Sequence, residues 1–590
     1  MKRRGALLAL CFFFTACSAE NSVQKKDTQA NSDIPSTSNA KSNTSKPQRF
    51  EAPSSFEKDS RKSEQTATEI SSTVLSSLCD SLQNSKNLEP LLTANFQGFW
   101  MTQPEATASS PRLYNKVLKP SNAPLDKKTF ASAVSRFSST FSDIQRCSVG
   151  IAKFRKKSES EAWAVLNFQL AGFYAKGERV SVSGTPKIIL KKEKDWQLAG
   201  WSTADYTFQY SKAPLFVEVS RWVGADFRRT FEFHKIIQQQ MNSRKIETVG
   251  GLAVIDWNSD SRHDFIAWNR RRTMQVFVND GTAGFDKILN PIPNAHVGLH
   301  HVYFDLDGDG NEEIVSSEVV DCENGAAEFP VYSRKKNRFI RRRGLLKFKR
   351  ECNGIDQVKF QHISIADIND DGKLDLFFAG FSHQFSKSHG HNRFRSRKGE
   401  PNRLFLSTAN GKYSEVAAQR GVAGDSFSYA SLFTDFNKDG HQDIYVVNDY
   451  GRNVIYQNNG QGFFSPAQSA LAENGQSMGV SEVDINEDGE LDYYISNMYS
   501  KAGNRIVPLA KDKLNPETYD ELLAVAKGNS ALLRGADESL EFSEQAQELG
   551  IAKAGWAWGH TFFDYDQDGR TELLVLNGNV THSDAKAPDY

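Results

Sequence analysis

Acidic residues recur in the second half of the sequence at a fixed spacing that suits a hard metal ion. Six segments follow the pattern D-x-[DN]-x-D-G-x-x-[DE], with Ser261 in place of the glycine in the first of them. Of the 24 side chains at positions 1, 3, 5 and 9, four are asparagines, which leaves 20 carboxylates. The six sets are Asp256, Asn258, Asp260 and Asp264; Asp305, Asp307, Asp309 and Glu313; Asp367, Asn369, Asp371 and Asp375; Asp435, Asn437, Asp439 and Asp443; Asp484, Asn486, Asp488 and Asp492; and Asp564, Asp566, Asp568 and Glu572.

This pattern predicts calcium binding. Calcium takes about six to eight oxygen ligands, and alternate residues of a tight loop can point inward together. Without a cation the carboxylates of one loop would repel one another. A single copy would fit an Asx-rich hairpin turn better than a calcium site, but six copies with matching flanks favour calcium. The loop that contains Ser261 fits the calcium-binding pattern least well. An EF-hand is excluded, because strand-like rather than helical segments flank the loops and no glutamate stands at position 12.

Short apolar runs flank each loop and indicate β-strands. From Asp256 to Asp564 there are 564 − 256 = 308 residues over five intervals, or about 62 residues per repeat. A second motif, N-x-[LVI]-[YF], follows the loop strand at Asn453–Tyr456 and, more loosely, at Asn402–Phe405. Short strands between turns at this period are typical of a β-propeller. A further pattern, Pro516–Ala526, predicts a helix inserted between the last two loops.

Residues 213–590 resemble the FG-GAP/VCBS β-propellers of integrin-α type, and within them the ASPIC/UnbV group that includes cartilage acidic protein. The resemblance is carried by the opening segment 216–227, by Ser477–Val480, by Gly555–Asp564 and by Asn577–Val580. It implies an all-β fold of seven blades, whereas the loop spacing alone gives six. The group usually continues into a further blade and a C-terminal domain, and the sequence departs from it there.

The N-terminus predicts an exported lipoprotein. Three cationic residues precede the apolar run Ala6–Phe14, which is too short to span a bilayer and right for a signal peptide over residues 1–16. The segment Phe14–Cys17 resembles a bacterial lipobox, which implies that Cys17 carries the lipid; the alternative is an ordinary signal peptide with a chance cysteine. Ser18, by resemblance to sorting rules, implies the outer membrane. The serine-rich residues 17–64 predict a disordered tether.

Residues 65–212 predict a small α+β domain. Helical patterns cover residues 65–90, Leu88–Phe99 and Phe130–Ile144, and strand patterns follow them up to Trp201. The last of these strands is similar to the closing strand of NTF2-like domains, which are curved sheets around a pocket. The sequence offers no acid/base pair there, which favours a packing or docking module.

Four cysteines remain after the leader and the predicted lipid site, and an even number in an oxidising compartment predicts two disulfides. Three pairings are open. We favour Cys79 with Cys147 and Cys322 with Cys352, because each pair then lies within one domain.

Residues 334–350 hold ten lysines and arginines and no acid, among them Arg341, Arg342 and Arg343. Two interpretations are open: a solvated hairpin, or a surface that binds an anionic glycan, a lipopolysaccharide or an acidic protein. The chain as a whole has 72 basic and 72 acidic residues, so we expect no nucleic-acid partner.

These patterns together predict a surface-anchored calcium-binding propeller that binds protein or glycan and is not an enzyme. The alternative is a polysaccharide-active, lyase-like enzyme, since some VCBS-type propellers resemble polysaccharide lyases. A lyase would need a base and charge-neutralising groups that converge in one cleft.

Overall fold

The computed structural model describes residues 54–577, apart from 103–112, 203, 213–218, 227–249, 270–273, 290, 293–299, 318–319, 324, 336–337, 351–358, 383–398, 409–410, 473–475, 536–540 and 566–567. The chain is mostly β-structure and divides into two compact units. The N-terminal unit holds the described residues between 31 and 218 together with Lys501–Leu523, and the C-terminal unit holds Val219–Ser500 and Ala524–Tyr590. Among the described residues, no helix is both long and apolar enough to cross a membrane.

The N-terminal unit combines helices with one large, mainly antiparallel sheet. Its helices are α1 (Ser54–Ile70), which continues through a wider π-helical turn (Ser71–Leu75), α2 (Ser76–Asn84), α3 (Lys127–Ser138), α5 (Lys501–Ile506) and α6 (Pro516–Ala526), with 3-10 turns at Glu89–Leu91 and Val507–Ala510. Its strands are β1 (Leu92–Gly98), β2 (Leu113–Leu118), β3 (Leu125–Asp126), β4 (Asp143–Lys156), β5 (Glu161–Phe173), β6 (Arg179–Gly184), β7 (Lys187–Lys192), β8 (Trp196–Trp201) and β9 (Tyr206–Ser211). The strand order is β2-β9-β6-β5-β7-β8-β1-β3, with β4 also paired to β5.

Aromatic rings fill the core of this unit. The indole of Trp100 contacts the rings of Phe130, Phe168 and Trp201, with centroid distances of 5.5, 6.2 and 5.7 Å. Trp201 Nε1 donates a hydrogen bond to the hydroxyl of Tyr206 at 2.9 Å. The strand pattern of alternating burial, clearest along β5, follows from side chains that point to opposite faces of the sheet.

The C-terminal unit is a series of small antiparallel sheets that follow one another along the chain. In four of these sheets, the four strands pair in the order in which they occur in the sequence. The strands are β10 (Gly250–Ile255), β11 (Asp264–Asn269), β12 (Met274–Asn279) and β13 (Phe285–Leu289); β14 (His301–Phe304), β15 (Glu313–Ser316), β16 (Val320–Glu323), β17 (Ala326–Lys335) and β18 (Arg338–Lys349); β19 (Lys359–Ala366), β20 (Asp375–Ser382), β21 (Arg403–Thr408) and β22 (Lys412–Glu415); β23 (Phe427–Thr434), β24 (Asp443–Tyr450), β25 (Val454–Asn458) and β26 (Phe464–Pro466); β27 (Ser477–Val483), β28 (Asp492–Asn497), β29 (Ser530–Arg534) and β30 (Phe542–Glu544); and β31 (Ala557–Phe563) with β32 (Glu572–Asn577). A short helix, α4 (Ala417–Arg420), follows β22.

Successive sheets share their cores. Phe329 of the second sheet stacks on Phe378 of the third at 3.9 Å, and Tyr445 of the fourth meets Tyr493 of the fifth at 5.6 Å. The first strands of neighbouring sheets also lie side by side, in the order β10, β14, β19, β23, β27 and β31. Each sheet therefore buries its faces against its neighbours in the chain.

Three predictions about the elements have a clear outcome. The inserted helix is confirmed with the predicted bounds, Pro516–Ala526. The helix predicted over Leu88–Phe99 is wrong, because Leu92–Gly98 forms β1, which pairs with β8 about a hundred residues later. Helix α1 begins at Ser54, inside the segment predicted to be a tether, and buries Ala67 and Ile70 near its C-terminal end.

The candidate calcium loops

All six acidic loops occupy the same place in their sheets, between the first strand and the second. The loop from Asp256 to Asp264 joins β10 to β11, and the loop from Asp435 to Asp443 joins β23 to β24. The other four join β14 to β15, β19 to β20, β27 to β28 and β31 to β32. The sequence repeat is thus also a structural repeat, with every loop at the same end of its sheet.

The aspartate at position 1 holds each loop closed. Asp435 Oδ1 accepts a hydrogen bond from the backbone N–H of Asp439 at 3.0 Å, and its Oδ2 accepts one from Gly440 at 2.9 Å. The same pair of bonds recurs at Asp256, Asp305, Asp367, Asp484 and Asp564. A carboxylate oxygen has more than one lone pair, so these bonds leave acceptor capacity for a cation.

Position 6 adopts a positive φ in every loop. Gly440 has a φ of 88°, and Ser261, which stands where the other loops have glycine, still adopts 64°. The loop with Ser261 therefore has the same backbone turn as the others, at the cost of strain that glycine avoids.

The acid at position 9 is buried in the first five loops and half-buried in the last, and it hydrogen-bonds to the backbone of its loop, of its third strand, or of both. Asp375 Oδ2 accepts from the backbone N–H of Ile368 at 3.3 Å, and its Oδ1 accepts from Ser407 on the third strand at 2.7 Å. Asp264 and Asp492 make both contacts. Asp443 makes only the contact to the third strand. Glu313 and Glu572 make only the contact within the loop. Sequence reasoning assigned these residues to the metal and missed this second role, because the third-strand partner lies well outside the nine-residue pattern.

The electrostatics of the loops favour a cation. Burial, followed by the neighbouring carboxylates of its own loop, raises the pKa of Asp375 to about 6 and that of Asp443 to about 7. Burial likewise raises the pKa of Asp264, Glu313 and Asp492. A divalent ion would replace the missing solvation and remove the repulsion between these groups.

Two loops test the fit of calcium most directly. In the second loop, carboxylate oxygens of Asp305, Asp307 and Glu313 all lie within 4.8 Å of one another. In the fourth, Asp443 Oδ2 is buried and has no hydrogen-bond partner, an acceptor that a cation would satisfy. Hard oxygen donors of this kind suit calcium or magnesium rather than a softer metal.

The asparagines at position 3 of the fourth and fifth loops need a rearrangement to act as ligands. Asn437 and Asn486 direct their amide nitrogens at the carboxylate of position 5, at 2.8 Å in both loops. A flip of the amide would present the oxygen instead. Asp566, at position 3 of the last loop, lies outside the described residues.

The basic hairpin is present, but its arginines face carboxylates of the protein. Arg341 Nη2 lies 2.5 Å from Oε1 of Glu328, whose side chain is 5% exposed. Arg342 Nη1 lies 2.5 Å from Oδ2 of Asp307, a predicted calcium ligand. Glu328 on β17 and Asp307 in the second acidic loop thus partner Arg341 and Arg342, and the binding of an anionic ligand by Arg341, Arg342 and Arg343 stays a prediction. Arg343 is exposed.

One of the two predicted disulfides is confirmed. Cys79 on α2 and Cys147 on β4 are joined, with their Cα atoms 5.5 Å apart. Cys322 lies in β16, and Cys352 lies outside the described residues, as does the predicted lipid site Cys17.

The comparison with protein families agrees with the repeat. The FG-GAP-like repeat family matches residues 367–446 and 435–495, which contain the third, fourth and fifth acidic loops. The C-terminal unit therefore carries FG-GAP-like repeats. The comparison with curated proteins gave no match.

Similarity to solved structures is weak. A putative scytalone dehydratase from Novosphingobium aromaticivorans DSM 12444 has 12% identity and a TM-score of 0.19, over 25% of this chain and 86% of that one. A hexachlorocyclohexane dehydrochlorinase, LinA-type3 from Novosphingobium barchaimii LL02, has 7% identity and a TM-score of 0.20, over 27% and 99%. A levansucrase variant from B. megaterium has 10% identity and a TM-score of 0.22, over 54% and 88%. Scores this low carry no argument about fold or activity.

Proposed function

We propose that the C-terminal unit is a calcium-binding β-propeller of six or seven blades that binds protein or glycan at the bacterial surface. The observation that carries this proposal is the identical position and hydrogen bonding of six acidic loops, each between the first and second strands of a sheet. The side-by-side order of the six first strands supports a radial arrangement of the sheets.

Calcium in these loops would act as a structural element. Each ion would tie the first strand of a sheet to the second, while the acid at position 9 ties the loop to the third, as Asp492 does through the backbone N–H of Arg534 at 2.8 Å. The rigid sheets would then present the ends of their strands to a partner. FG-GAP-like repeats in the middle of the unit favour such a binding role over catalysis.

The arginines of the basic hairpin that the structure describes give the lyase alternative little support. Such an enzyme needs cations free to neutralise an acidic sugar, but Arg341 and Arg342 meet carboxylates of the protein, and Arg350 lies 3.4 Å from Glu400. We therefore propose binding as the function, with attachment to the outer membrane through a lipid on Cys17.

The direct test is a thermal melt of the folded protein with and without calcium. When its free concentration is 100 times its Kd, an ion that binds only the folded state adds about 2.7 kcal/mol per site to the free energy of unfolding. Chelation is expected to lower the melting temperature, and calcium, more than magnesium, to restore it. A melting temperature indifferent to both chelator and calcium would contradict the proposal.

A further inference from the structure

One patch on the sheet of the N-terminal unit combines exposed cations with apolar side chains. We call it the basic face, and its residues are Lys153 and Arg155 on β4, Trp163 and Val165 on β5, and Lys187, Ile189 and Lys191 on β7. Because β4 and β7 both pair with β5, Trp163 lies directly between Arg155 and Ile189. Val165 lies between Lys153 and Lys187 in the same way. Directly opposed residues have their Cβ atoms about 5 Å apart, so these side chains form one continuous surface.

The alternation along the strands shows that the basic face points away from the core. Phe154, Ala164 and Ile188, which alternate with its residues, are buried in the core of the unit. Successive side chains of a strand point to opposite sides of the sheet, so the basic face lies on the solvent side. All four of its cations are exposed, Ile189 is 48% exposed, and Trp163 is half-buried.

The cations of the basic face are not neutralised by acids of the protein. In the described part of the chain, the side chains of Lys153, Arg155, Lys187 and Lys191 form no ion pair. Glu161 lies opposite Lys191 on β5, but its carboxylate is bound to the ammonium group of Lys157 at 3.0 Å. From the rise along a strand and the spacing between strands, the four cations lie within roughly 10 by 13 Å. Such a group of positive charges attracts an anionic partner.

The apolar side chains between the cations narrow the kind of partner. A soluble polyanion would neutralise the cations and leave Ile189 in water, whereas an anionic phospholipid surface would neutralise the cations and also cover the apolar side chains. The tryptophan ring suits the boundary between headgroups and acyl chains, because it is apolar with one polar N–H. Lysine and arginine can lay their stems over apolar surface while their charged ends reach the phosphates.

The position of the unit in the chain favours the same partner. Residues 17–53 connect the proposed lipid site, Cys17, to helix α1 of this unit, which begins at Ser54. A connection of this length spans at most about 130 Å when fully extended. A lipid on Cys17 would therefore keep the basic face close to the headgroups, and a contact that is weak by itself would suffice.

We propose that the basic face binds the headgroups of anionic phospholipids and places Trp163 and Ile189 at the membrane interface. The inference rests on the proposed attachment through Cys17, which brings the face to the membrane, but the contact itself needs no lipid on the protein. It holds the N-terminal unit against the membrane surface. Because the contact is electrostatic, a salt wash releases it, so it does not by itself keep the protein in a membrane fraction.

The test measures binding to vesicles of phosphatidylglycerol and phosphatidylcholine, and to vesicles of phosphatidylcholine alone, at fixed calcium. The protein is the chain from residue 17 onward with Cys17→Ser, so that no acyl chain contributes. We expect binding to the anionic vesicles that weakens as salt is added. Arg155→Ser, Lys187→Ser and Lys191→Ser together should weaken it at least tenfold, because each cation near an anionic surface strengthens binding about fivefold. Ile189→Ser should weaken it about threefold without a change of charge, and should leave binding to soluble polyglutamate unchanged.

The matched control removes the same charge from the same unit outside the basic face. It combines Lys128→Ser, Arg136→Ser and Lys176→Ser, all at exposed positions, and should bind the anionic vesicles like the parent. Melting curves show that each variant folds, and Ile189→Ser carries the test if the triple variant of the basic face does not.

Three outcomes would overturn the proposal. The first is no binding to the anionic vesicles, and the second is equal weakening in the two triple variants, which would report net charge alone. The third is binding to soluble polyglutamate or polygalacturonate without binding to vesicles, which would identify an acidic protein segment or an acidic glycan as the partner. Vesicle binding through the basic face in a protein that takes up no fatty acid would overturn the lipid on Cys17 and leave the face standing. A labelled parent whose Cys17→Ser form ignores vesicles would overturn the face alone.

Discussion

The guanidinium of Arg505 is bound to the carboxylate of Glu64, a residue 441 positions earlier in the chain. Its Nε and Nη2 donate to the two carboxylate oxygens at 3.1 and 2.6 Å, and its Nη1 donates to the carbonyl of Ile151 at 3.1 Å. Both side chains are largely shielded, with 14% and 27% exposure. This bidentate pair fixes the inserted helix α5 within the N-terminal unit.

We expect Arg505→Ala to destabilise the N-terminal unit by about 1–3 kcal/mol, because it leaves a shielded carboxylate and a carbonyl without their donors. Urea unfolding followed by tryptophan fluorescence would measure the change. Lys511→Ala, at an exposed position of the same insertion, is the control and should have almost no effect. Equal stability of the two variants would show that the ion pair of Arg505 and Glu64 does not stabilise the N-terminal unit.

The calcium loops can be tested against an ordinary turn that looks alike. Asp439→Asn removes one negative charge from the fourth loop and should weaken calcium binding and reduce the stabilisation by calcium. Asp280→Asn is the matched control, because Asp280 closes a plain hairpin turn through the backbone N–H groups of Thr282 and Gly284. Calorimetry should show one site fewer, or one weaker site, in Asp439→Asn alone. A calcium titration of Asp439→Asn identical to that of the control would remove the fourth loop from the set.

One buried and two half-buried histidines predict a loss of stability in acid. His300 stacks on His362 at 4.3 Å, and His301 is 4% exposed. Burial lowers the pKa of His301 to about 3 and that of His362 to about 4, and burial and the neighbouring imidazoles lower that of His300 well below its usual value. The unfolded chain takes up these protons near pH 6.5 and the folded chain does not, so stability falls as the pH drops from about 6.5 towards 4.

His362→Gln isolates this effect from that of the buried acids. The raised pKa values of Asp375 and Asp443 act in the opposite direction, since the folded state binds those protons more tightly than the unfolded state. The difference between variant and parent therefore reports the histidine alone. The free energy of unfolding, measured by urea titration at fixed calcium, should fall less steeply from pH 7.5 to 4.5 in the variant than in the parent. The difference in slope should be up to about 1.4 kcal/mol per pH unit. Parallel profiles would mean that His362 takes up its proton over the same pH range in the folded and the unfolded protein.

Lipid attachment predicts where the protein is found in the cell. Cys17→Ser should move the protein from the membrane fraction to the soluble fraction, because the thiol is the predicted acceptor of the lipid. Metabolic labelling with a fatty acid should mark the parent and not the variant. Retention of an unlabelled variant in the membrane fraction would contradict lipid anchoring as the cause of membrane association.

Local patterns in the sequence were informative, and partners distant in the chain were not visible. The predicted calcium ligands of each loop lie within nine residues, so the pattern from Asp435 to Asp443 could be recognised without a structure. The pairing of Arg341 with Glu328 depends on the register of β17 and β18, which the run of cations does not reveal. Leu92–Gly98 has helix-like spacing but forms a strand, because pairing with β8 outweighs local preference.

The placement of Lys501–Leu523 in the N-terminal unit affects the order in which the protein can fold. The chain passes from the C-terminal unit to this segment after Ser500 and returns at Ala524, between the second and third strands of the fifth of the six described C-terminal sheets. During synthesis, the sheet of the N-terminal unit emerges long before the inserted helices that pack on it. That unit must therefore wait, with the site for Arg505 open, until most of the repeats have emerged, and a protein truncated before residue 501 would never close it.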